Sequence, residues 1–210
     1  MVFTQALQVK KGITAIIGSG GKTSLMLALG RELSSAGFSV ILCTSTRIYP
    51  PEGIPFTQEI TRCVEGTICV GTPAQFGKIA APKQPFTDLT QYADYVLVEA
   101  DGSKHLPLKA HDVYEPVIPC GCGRVILVVG ATGLGDDIYE VVHRPEIFLE
   151  LTDSYVASPE AVALAMAKED LGDCVFINQA DLAPNLAMEL KTMVPIPCCV
   201  GSVLKGEILC

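Results

Sequence analysis

The sequence has no long hydrophobic run and little positive charge. Its longest apolar stretches, AIIG, VILC and VILVVG, have the length of strands, whereas a membrane-spanning helix needs about 20 apolar residues. The first residues lack an apolar core behind positive charge, so we expect no signal peptide. Lys and Arg total 15 against 23 Asp and Glu, and the net charge of −8 disfavours nucleic acid as a partner. We therefore expect a cytoplasmic protein that interacts with neither membranes nor nucleic acid.

Nine cysteines are scattered along the chain, and their number is odd. Without a signal peptide, such cysteines are typical of reduced thiols in a cytosolic protein. Cys120 and Cys122 are separated by one glycine, which is not the spacing of a zinc site. A metal, persulfide or selenium role for this pair stays open, because paired thiols in a Gly-flanked turn are chemically competent.

Strand-length apolar runs alternate with helical segments. The runs are GITAIIG, FSVILC, YVLVEADG, VILVVG and CVFINQAD. Helices are predicted over 22–36, where Leu and Met recur at helical spacing, and over 158–168, which opens with Ser158 and a proline. The polar, proline-broken segment 44–56 is predicted to be a loop. This order predicts an α/β fold, a three-layer sandwich with a mainly parallel sheet, whose ligands bind at the carboxyl ends of the strands.

A glycine-rich loop, GSGGKTS, joins the first strand to the first helix. It is two residues shorter than the usual P-loop, G-x-x-x-x-G-K-[ST]. Backbone N–H groups at such a loop and helix start bind phosphate, while a lysine adds charge and a threonine hydroxyl binds Mg²⁺. The predicted phosphate-binding residues are Gly18, Ser19, Gly20, Gly21, Lys22, Thr23 and Ser24. The predicted cofactors are therefore Mg²⁺ and a nucleotide, GTP or another nucleoside triphosphate.

Two other interpretations of this loop compete with the phosphate site. A dinucleotide fingerprint, G-x-G-x-x-G, would need a glycine at Thr23 and an acidic residue after the second strand, and both are missing. A glycine turn that precedes Lys-Thr by chance is the other. The segment is similar to the shortened loop of the Mur ligases. We therefore favour a P-loop NTPase-like fold, with residues 1–210 forming a single nucleotide-binding domain.

Two carboxylates, Glu99 and Asp101, end the strand YVLVEADG. An apolar strand that delivers an acid beside a phosphate loop is typical of the Walker B arrangement, in which the acid holds Mg²⁺ or orients a water. Glu99 is the first choice because it lies nearer the strand. Lys22, Glu99 and Asp101 are the candidate catalytic residues, and Thr23 and Glu99 are the candidate metal ligands.

The strand FINQAD ends in Asn178 and Asp181, where GTP-binding proteins carry N-K-x-D. The aspartate of that motif accepts hydrogen bonds from guanine N1 and N2, donors that adenine lacks. Gln179 replaces the lysine, which weakens the match. Amides near Ser202, after the last strand, would meet guanine O6. We therefore predict that Asn178, Asp181 and Ser202 bind the base.

The segment GSKHLPLKAH concentrates positive charge in an acidic protein. Lys104, His105, Lys109 and His111 form either a solvated loop or a cationic rim for an anionic substrate or a γ-phosphate. The segment 44–47 leaves the second strand at the same edge of the sheet, where a switch that senses the nucleotide would lie.

Five segments together resemble the YqeC family of accessory proteins for selenium-dependent hydroxylases. They are IIGSGGKTS, TSTRIYPP, VEADGSKHLPLKAHDVYEPVIP, VHRPE and INQADL. The resemblance implies a cytoplasmic bacterial P-loop protein that assists maturation of molybdenum hydroxylases. Its partners would be such a hydroxylase or a cofactor carrier protein.

Three functions fit these observations. The first is Mg²⁺-dependent nucleotide hydrolysis that drives maturation of the hydroxylase. The second is a Mur-ligase-like ligase or a kinase that acts on a small substrate. The third is a non-catalytic, nucleotide-gated module that binds a cofactor.

Overall fold

The computed structural model describes residues 2–210 and confirms the mixed α/β architecture, a large, mostly parallel sheet with helices around it. The strands are β1 (Gly12–Gly18), β2 (Val40–Thr44), β3 (Arg47–Ile48), β4 (Phe56–Thr57), β5 (Thr67–Val70), β6 (Thr72–Pro73), β7 (Ile79–Ala80), β8 (Tyr95–Glu99), β9 (Leu108–Lys109), β10 (Cys122–Gly130), β11 (Val142–His143), β12 (Cys174–Asn178), β13 (Cys198–Ser202) and β14 (Glu207–Ile208). The helices are α1 (Val2–Ala6), α2 (Lys22–Ser35), α3 (Phe86–Leu89), α4 (Ile138–Val141), α5 (Pro145–Thr152), α6 (Pro159–Glu169) and α7 (Pro184–Met193). No helix within residues 2–210 has the length and apolarity needed to cross a bilayer.

The strands and helices predicted from apolar runs are present as β1, β2, β8, β10, β12, α2 and α6. Ser158 caps α6 as predicted, because its hydroxyl accepts a hydrogen bond from the Ala161 amide. Segment 44–56 differs from the prediction, since it contains the two-residue strand β3. That strand forms because Arg47 and Ile48 pair antiparallel with Ala80 and Ile79 of β7, a partner distant in sequence.

Two compact units divide the described chain. The first comprises 2–16, 23–102 and 117–125, and its strands lie in the order β1, β8, β2, β5, β4. Both neighbours of β8 are parallel to it, and the register places Glu99 beside Ile16 of β1 and Thr44 of β2. The carboxylate at the end of β8 therefore lies between two strand ends. Whether residues 1–210 form a single nucleotide-binding domain stays a prediction.

The first unit is held by a continuous apolar core. Ile41, Val96 and Val98 from β2 and β8 are fully buried within it. On α2, the four residues whose spacing predicted the helix, Leu25, Met26, Leu29 and Leu33, are all fully buried. Burial of that apolar stripe, at roughly 1.5–3 kcal/mol for each large side chain, fixes the helix that follows the glycine loop.

The second unit comprises 17–22, 103–116 and 126–210. Its strands β10, β12 and β13 are parallel, and β14 pairs antiparallel with β13 at the edge. The register places Gly130 of β10 beside Asn178 of β12, so both lie at carboxyl ends. A separate pair of short parallel strands, β9 and β11, joins segment 103–116 to the residues before α5.

Candidate functional site

The glycines of the loop are required by its backbone geometry. Gly20 has φ +86°, and a Cβ there would lie 2.3 Å from both Cα and N of Gly130. Gly21 has φ +115°, and its Cβ would lie 2.5 Å from the Asn178 amide nitrogen. Left-handed backbone is accessible to glycine at little cost, and here the missing side chain also permits close approach. The loop is thereby held against the ends of β10 and β12.

Lys22 folds back over this loop. Its ammonium donates to the Gly18 carbonyl at 2.7 Å and to the Ser103 hydroxyl at 3.0 Å, and the residue is only 4% exposed. The side chain therefore spans the loop instead of extending into solvent. A phosphate bound by the loop amides would lie within reach of a cation that is already positioned.

The segment after Asp101 covers the loop. Ser19 Oγ donates to the Leu106 carbonyl, and the Gly130 amide donates to the Pro107 carbonyl at 2.9 Å. Between these contacts and Ser103 lies a tight turn in which Lys104 and His105 both have positive φ, +48° and +64°. Positive φ costs a non-glycine residue roughly 1–2 kcal/mol. The contacts on both sides of the turn hold this strained backbone in place.

In the first unit, Thr23 Oγ1 donates to Glu99 Oε2 at 2.6 Å. Glu99 is 6% exposed, and its backbone carbonyl accepts from the Thr44 hydroxyl at 2.7 Å and from the Ser45 amide at 3.1 Å. The structure thus brings together the two residues predicted to hold Mg²⁺. Two hard oxygen ligands suit this ion, because Mg²⁺ usually binds one or two protein groups and keeps several waters. The predicted ligand pair fits the ion.

Asp101 is fully buried two residues after Glu99, and Ser24 is exposed on the first turn of α2. Of the two carboxylates, Glu99 is the one that contacts Thr23. The choice of Glu99 as the metal ligand stays a prediction. The catalytic assignments of Lys22, Glu99 and Asp101 stay predictions.

Asn178 links the glycine loop to the loop after β13. Its Nδ2 donates to the Gly20 carbonyl at 2.8 Å, and its Oδ1 accepts from the Val203 amide at 2.9 Å. The residue is 4% exposed. Asn178 therefore positions two backbone segments of the candidate site, a role that its place at a strand end did not reveal.

Gln179 and Asp181 follow Asn178 at the end of β12, and both are partly exposed. Gln179 Oε1 accepts from the Thr132 hydroxyl at 2.7 Å, which holds this side chain next to Gly130. Asp181 is partly exposed, and the Ala180 amide donates to the Gly201 carbonyl, which joins this turn to the residue before Ser202. Asp181 therefore lies on a turn that is connected to the end of β13, where Ser202 is the last strand residue and is buried (1% exposed).

Two of the four cationic residues predicted as a rim are buried and paired. Lys109 Nζ lies 2.6 Å from Glu115 Oε2 with its side chain fully buried, and His111 Nδ1 lies 2.9 Å from Glu169 Oε2. Lys104 and His105 are exposed. A rim made of all four residues is therefore wrong, because Glu115 and Glu169, distant in sequence, bind two of them.

The sequence interpretation missed Ser103, Gly130 and Thr132. Ser103 contacts Lys22, Gly130 lies against Gly20, and Thr132 holds Gln179. The glycine that ends VILVVG is the one sequence signal that could have been read, since a glycine at a strand end often marks close backbone approach. Cys120 and Cys122 are free thiols, and no cluster of three or more metal-ligating His, Cys, Asp or Glu residues occurs within 2–210.

Comparison with known proteins identifies the family of this chain. The family profile described as YqeC protein matches residues 14–146, which include the glycine loop, both carboxylates and segment 103–116. The chain is also 30% identical over 222 aligned residues to the Escherichia coli protein described as "Uncharacterized protein YqeC", covering 93% of this chain and 87% of that protein. The chain belongs to the YqeC family. The resemblance seen in its sequence motifs is thereby confirmed.

Proposed function

We propose that this YqeC protein binds a nucleoside triphosphate together with Mg²⁺ and hydrolyses it. The observation that carries the proposal is the 2.6 Å hydrogen bond between Thr23 and Glu99, because Thr23 directly follows the lysine of the glycine loop. A hydroxyl that directly follows a phosphate-binding loop in the sequence, paired with a carboxylate at a strand end, is the typical Mg²⁺ ligand set of P-loop proteins.

Each residue of the loop has a distinct part in this proposal. The amides of 18–23 donate to the β-phosphate, and Lys22 moves its ammonium from the Gly18 carbonyl to a phosphate oxygen. Thr23 and Glu99 would hold Mg²⁺, and the bound ion would neutralise charge on the phosphates. Asp101 or Glu99 orients the attacking water, and the low exposure of both strengthens the interaction.

The proposed nucleotide is GTP. Asp181 carries the preference, because its partly exposed carboxylate can accept hydrogen bonds from guanine N1–H and N2–H. Asn178 fixes the distance between this turn and the phosphate loop through Gly20. Two exposed leucines, Leu182 (70%) and Leu204 (90%), flank the connected turns and offer apolar contact to a base. The maturation of a molybdenum hydroxylase, with that enzyme or a cofactor carrier as partner, is proposed on the family resemblance alone.

The test is calorimetric titration with GDP and with a non-hydrolysable GTP analogue, with and without Mg²⁺, combined with phosphate release from GTP. We expect Mg²⁺ to strengthen binding in the wild type, and Thr23→Val to remove most of that gain. Thr192→Val removes an exposed hydroxyl on α7 and is the matched control. If neither nucleotide binds the folded wild type, the proposal is wrong. If both bind without phosphate release, the protein is a nucleotide-gated module and not a hydrolase.

A further inference from the structure

A second group of polar residues lies on the two-stranded sheet β9–β11. Lys109 and His143 are register partners on these parallel strands, so their side chains project from the same face. Arg144 follows His143 with φ +67° and is the residue before α5. The strands bring two segments that are more than 30 residues apart in sequence into one cationic cluster, defined here as Lys104, Lys109, His143 and Arg144.

One carboxylate is shared by two members of the cationic cluster. Glu115 Oε2 lies 2.6 Å from Lys109 Nζ and also accepts from Arg144 Nη1. Burial would raise the pKa of the Glu115 carboxyl, but its hydrogen bonds from Arg144 and Lys109 prevail and lower it. Glu115 is therefore ionised and neutralises one of two cations. Asp112 lies 4.0 Å from Arg144 Nε at the exposed edge.

Glu115, Asp112 and Glu146 balance much of the charge of Lys104, Lys109 and Arg144, but positive charge prevails at the His143 ring. Burial lowers the pKa of the His143 ring, and the positive charges of Lys109, Arg144 and Lys104 lower it further. The Glu115 carboxylate opposes this effect only in part. The ring thus lies in a positive potential, although the protein as a whole carries a net charge of −8.

Access to the cationic cluster is uneven. The Lys109 side chain is fully buried and already paired, whereas the Arg144 side chain is 23% exposed and Lys104 is exposed on its turn. Glu115, which is paired with Lys109, accepts a hydrogen bond from one N–H group of the Arg144 guanidinium and thereby fixes the position of that group. An Arg has five N–H donors in a planar fork that suits carboxylate and phosphate groups, so donors remain for a ligand.

We propose that Lys104, His143 and Arg144 bind a small molecule that carries a carboxylate or phosphate group, at a site that does not depend on the glycine loop. Arg144 donates to the anionic oxygens, Lys104 adds charge from its turn, and His143 takes up a proton when the anion binds. Lys109 and Glu115 are positioning residues. Since Ser103, Leu106 and Pro107 of the same segment contact the glycine loop, such a ligand would stabilise the covering segment.

The experiment follows His143 by proton NMR in the Lys22→Ala background, so that phosphate binding to the glycine loop is weakened. The three histidine signals are assigned with His143→Gln, and pH titrations are run in phosphate, in citrate and in chloride at equal ionic strength. We expect phosphate, citrate or both to raise the pKa of His143 by about half a unit or more relative to chloride. His111, whose ring already bonds Glu169, should not respond.

Variants define which residues bind the anion. Arg144→Gln should weaken the anion's apparent affinity about tenfold, because a charge-assisted contact is lost. Lys104→Gln, an exposed position that leaves the fold intact, should weaken it severalfold. Lys83→Gln removes an exposed lysine outside the cationic cluster and should have no effect. A His143 pKa that is the same in all three salts, or equal affinities in Lys104→Gln and wild type, would overturn the proposal. This outcome is independent of whether the wild type binds nucleotide.

Discussion

Asn178 donates a hydrogen bond to the carbonyl of Gly20, 158 residues earlier in the chain, at 2.8 Å. The same side chain accepts from the Val203 amide, so one buried amide holds the glycine loop and the turn after β13 together. A buried amide that satisfies two backbone groups is costly to replace, since each group would lose its partner. In the proposed function, base recognition and phosphate binding share Asn178 as their common support.

The lysine of the loop gives the first prediction. Lys22→Ala should weaken GDP binding by about 1.5–3 kcal/mol, because a charge-assisted contact to phosphate is lost. Lys10→Ala removes an exposed lysine and should leave the affinity unchanged. Calorimetry checks the affinity, and circular dichroism checks that the variant is folded. Equal affinities in a folded Lys22→Ala protein would contradict the role given to this residue.

The acid at the end of β8 gives the second prediction. Glu99→Gln should keep GDP affinity within a few-fold but lower the rate of phosphate release about 100-fold or more, because an acid that holds Mg²⁺ or orients water is lost. Measured phosphate release at saturating GTP tests this. A defect of that size in Asp101→Asn, with normal turnover in Glu99→Gln, would reverse the assignment.

Asp181 gives the third prediction, a preference for guanine. GDP should bind about thirtyfold or more tightly than ADP, because a carboxylate that pairs with N1–H and N2–H meets no such donors on adenine. Asp181→Asn should reduce the preference, since its amide presents N–H where oxygen accepted. Glu189→Gln removes the same negative charge at an exposed position on α7 and is the control. Parallel titrations with GDP and ADP measure this preference, and equal affinities in the wild type would refute the guanine site.

Gly20 gives the fourth prediction, a stability effect with a matched control. Gly20→Ala should lower the free energy of unfolding by about 2–4 kcal/mol, because its Cβ would lie 2.3 Å from the Gly130 backbone. Gly37 has nearly the same φ, +87°, but a Cβ there meets nothing within 4 Å. Gly37→Ala should therefore cost only the backbone strain, roughly 1 kcal/mol. Urea denaturation compares the two variants, and equal losses would show that close approach is unimportant.

Glu32 gives the fifth prediction, on pH. Its carboxylate accepts from the amides of Val2, Phe3 and Thr4 at 2.8–2.9 Å. Burial would raise the pKa of Glu32, but these bonds prevail and lower it from 4.5. The stabilisation is therefore present above the unfolded pKa and is lost as pH falls through the folded one.

Glu32→Gln should consequently lower the free energy of unfolding by about 1–2 kcal/mol at pH 7, and by less at pH 3. Denaturation at both values of pH measures the difference. Glu59→Gln, at an exposed glutamate, should have no comparable effect. A cost for Glu32→Gln that is the same at pH 3 and pH 7 would contradict the argument.

The sequence by itself determined the elements and the chemistry of the strand ends. Short apolar runs bounded by glycines favour buried strands, and the spacing of Leu25, Met26, Leu29 and Leu33 favours a helix with one buried face. Glycines before Lys22 and a carboxylate after β8 are local patterns, because neighbours in sequence position them. These features predicted the fold class and brought Thr23 and Glu99 into the same hypothesis.

Tertiary structure decided which polar groups meet. The partners of Lys109 and His111, Glu115 and Glu169, could not be read from the segment that carries both cations, since burial and pairing depend on β9, β11 and α6. Asn178 became a support for Gly20 because the register of β10 and β12 aligns Gly130 with Asn178. The periodicity of apolar residues indicates which face of a helix or strand is buried. Contacts between side chains of different elements depend on strand order and register, which no short segment of the sequence specifies.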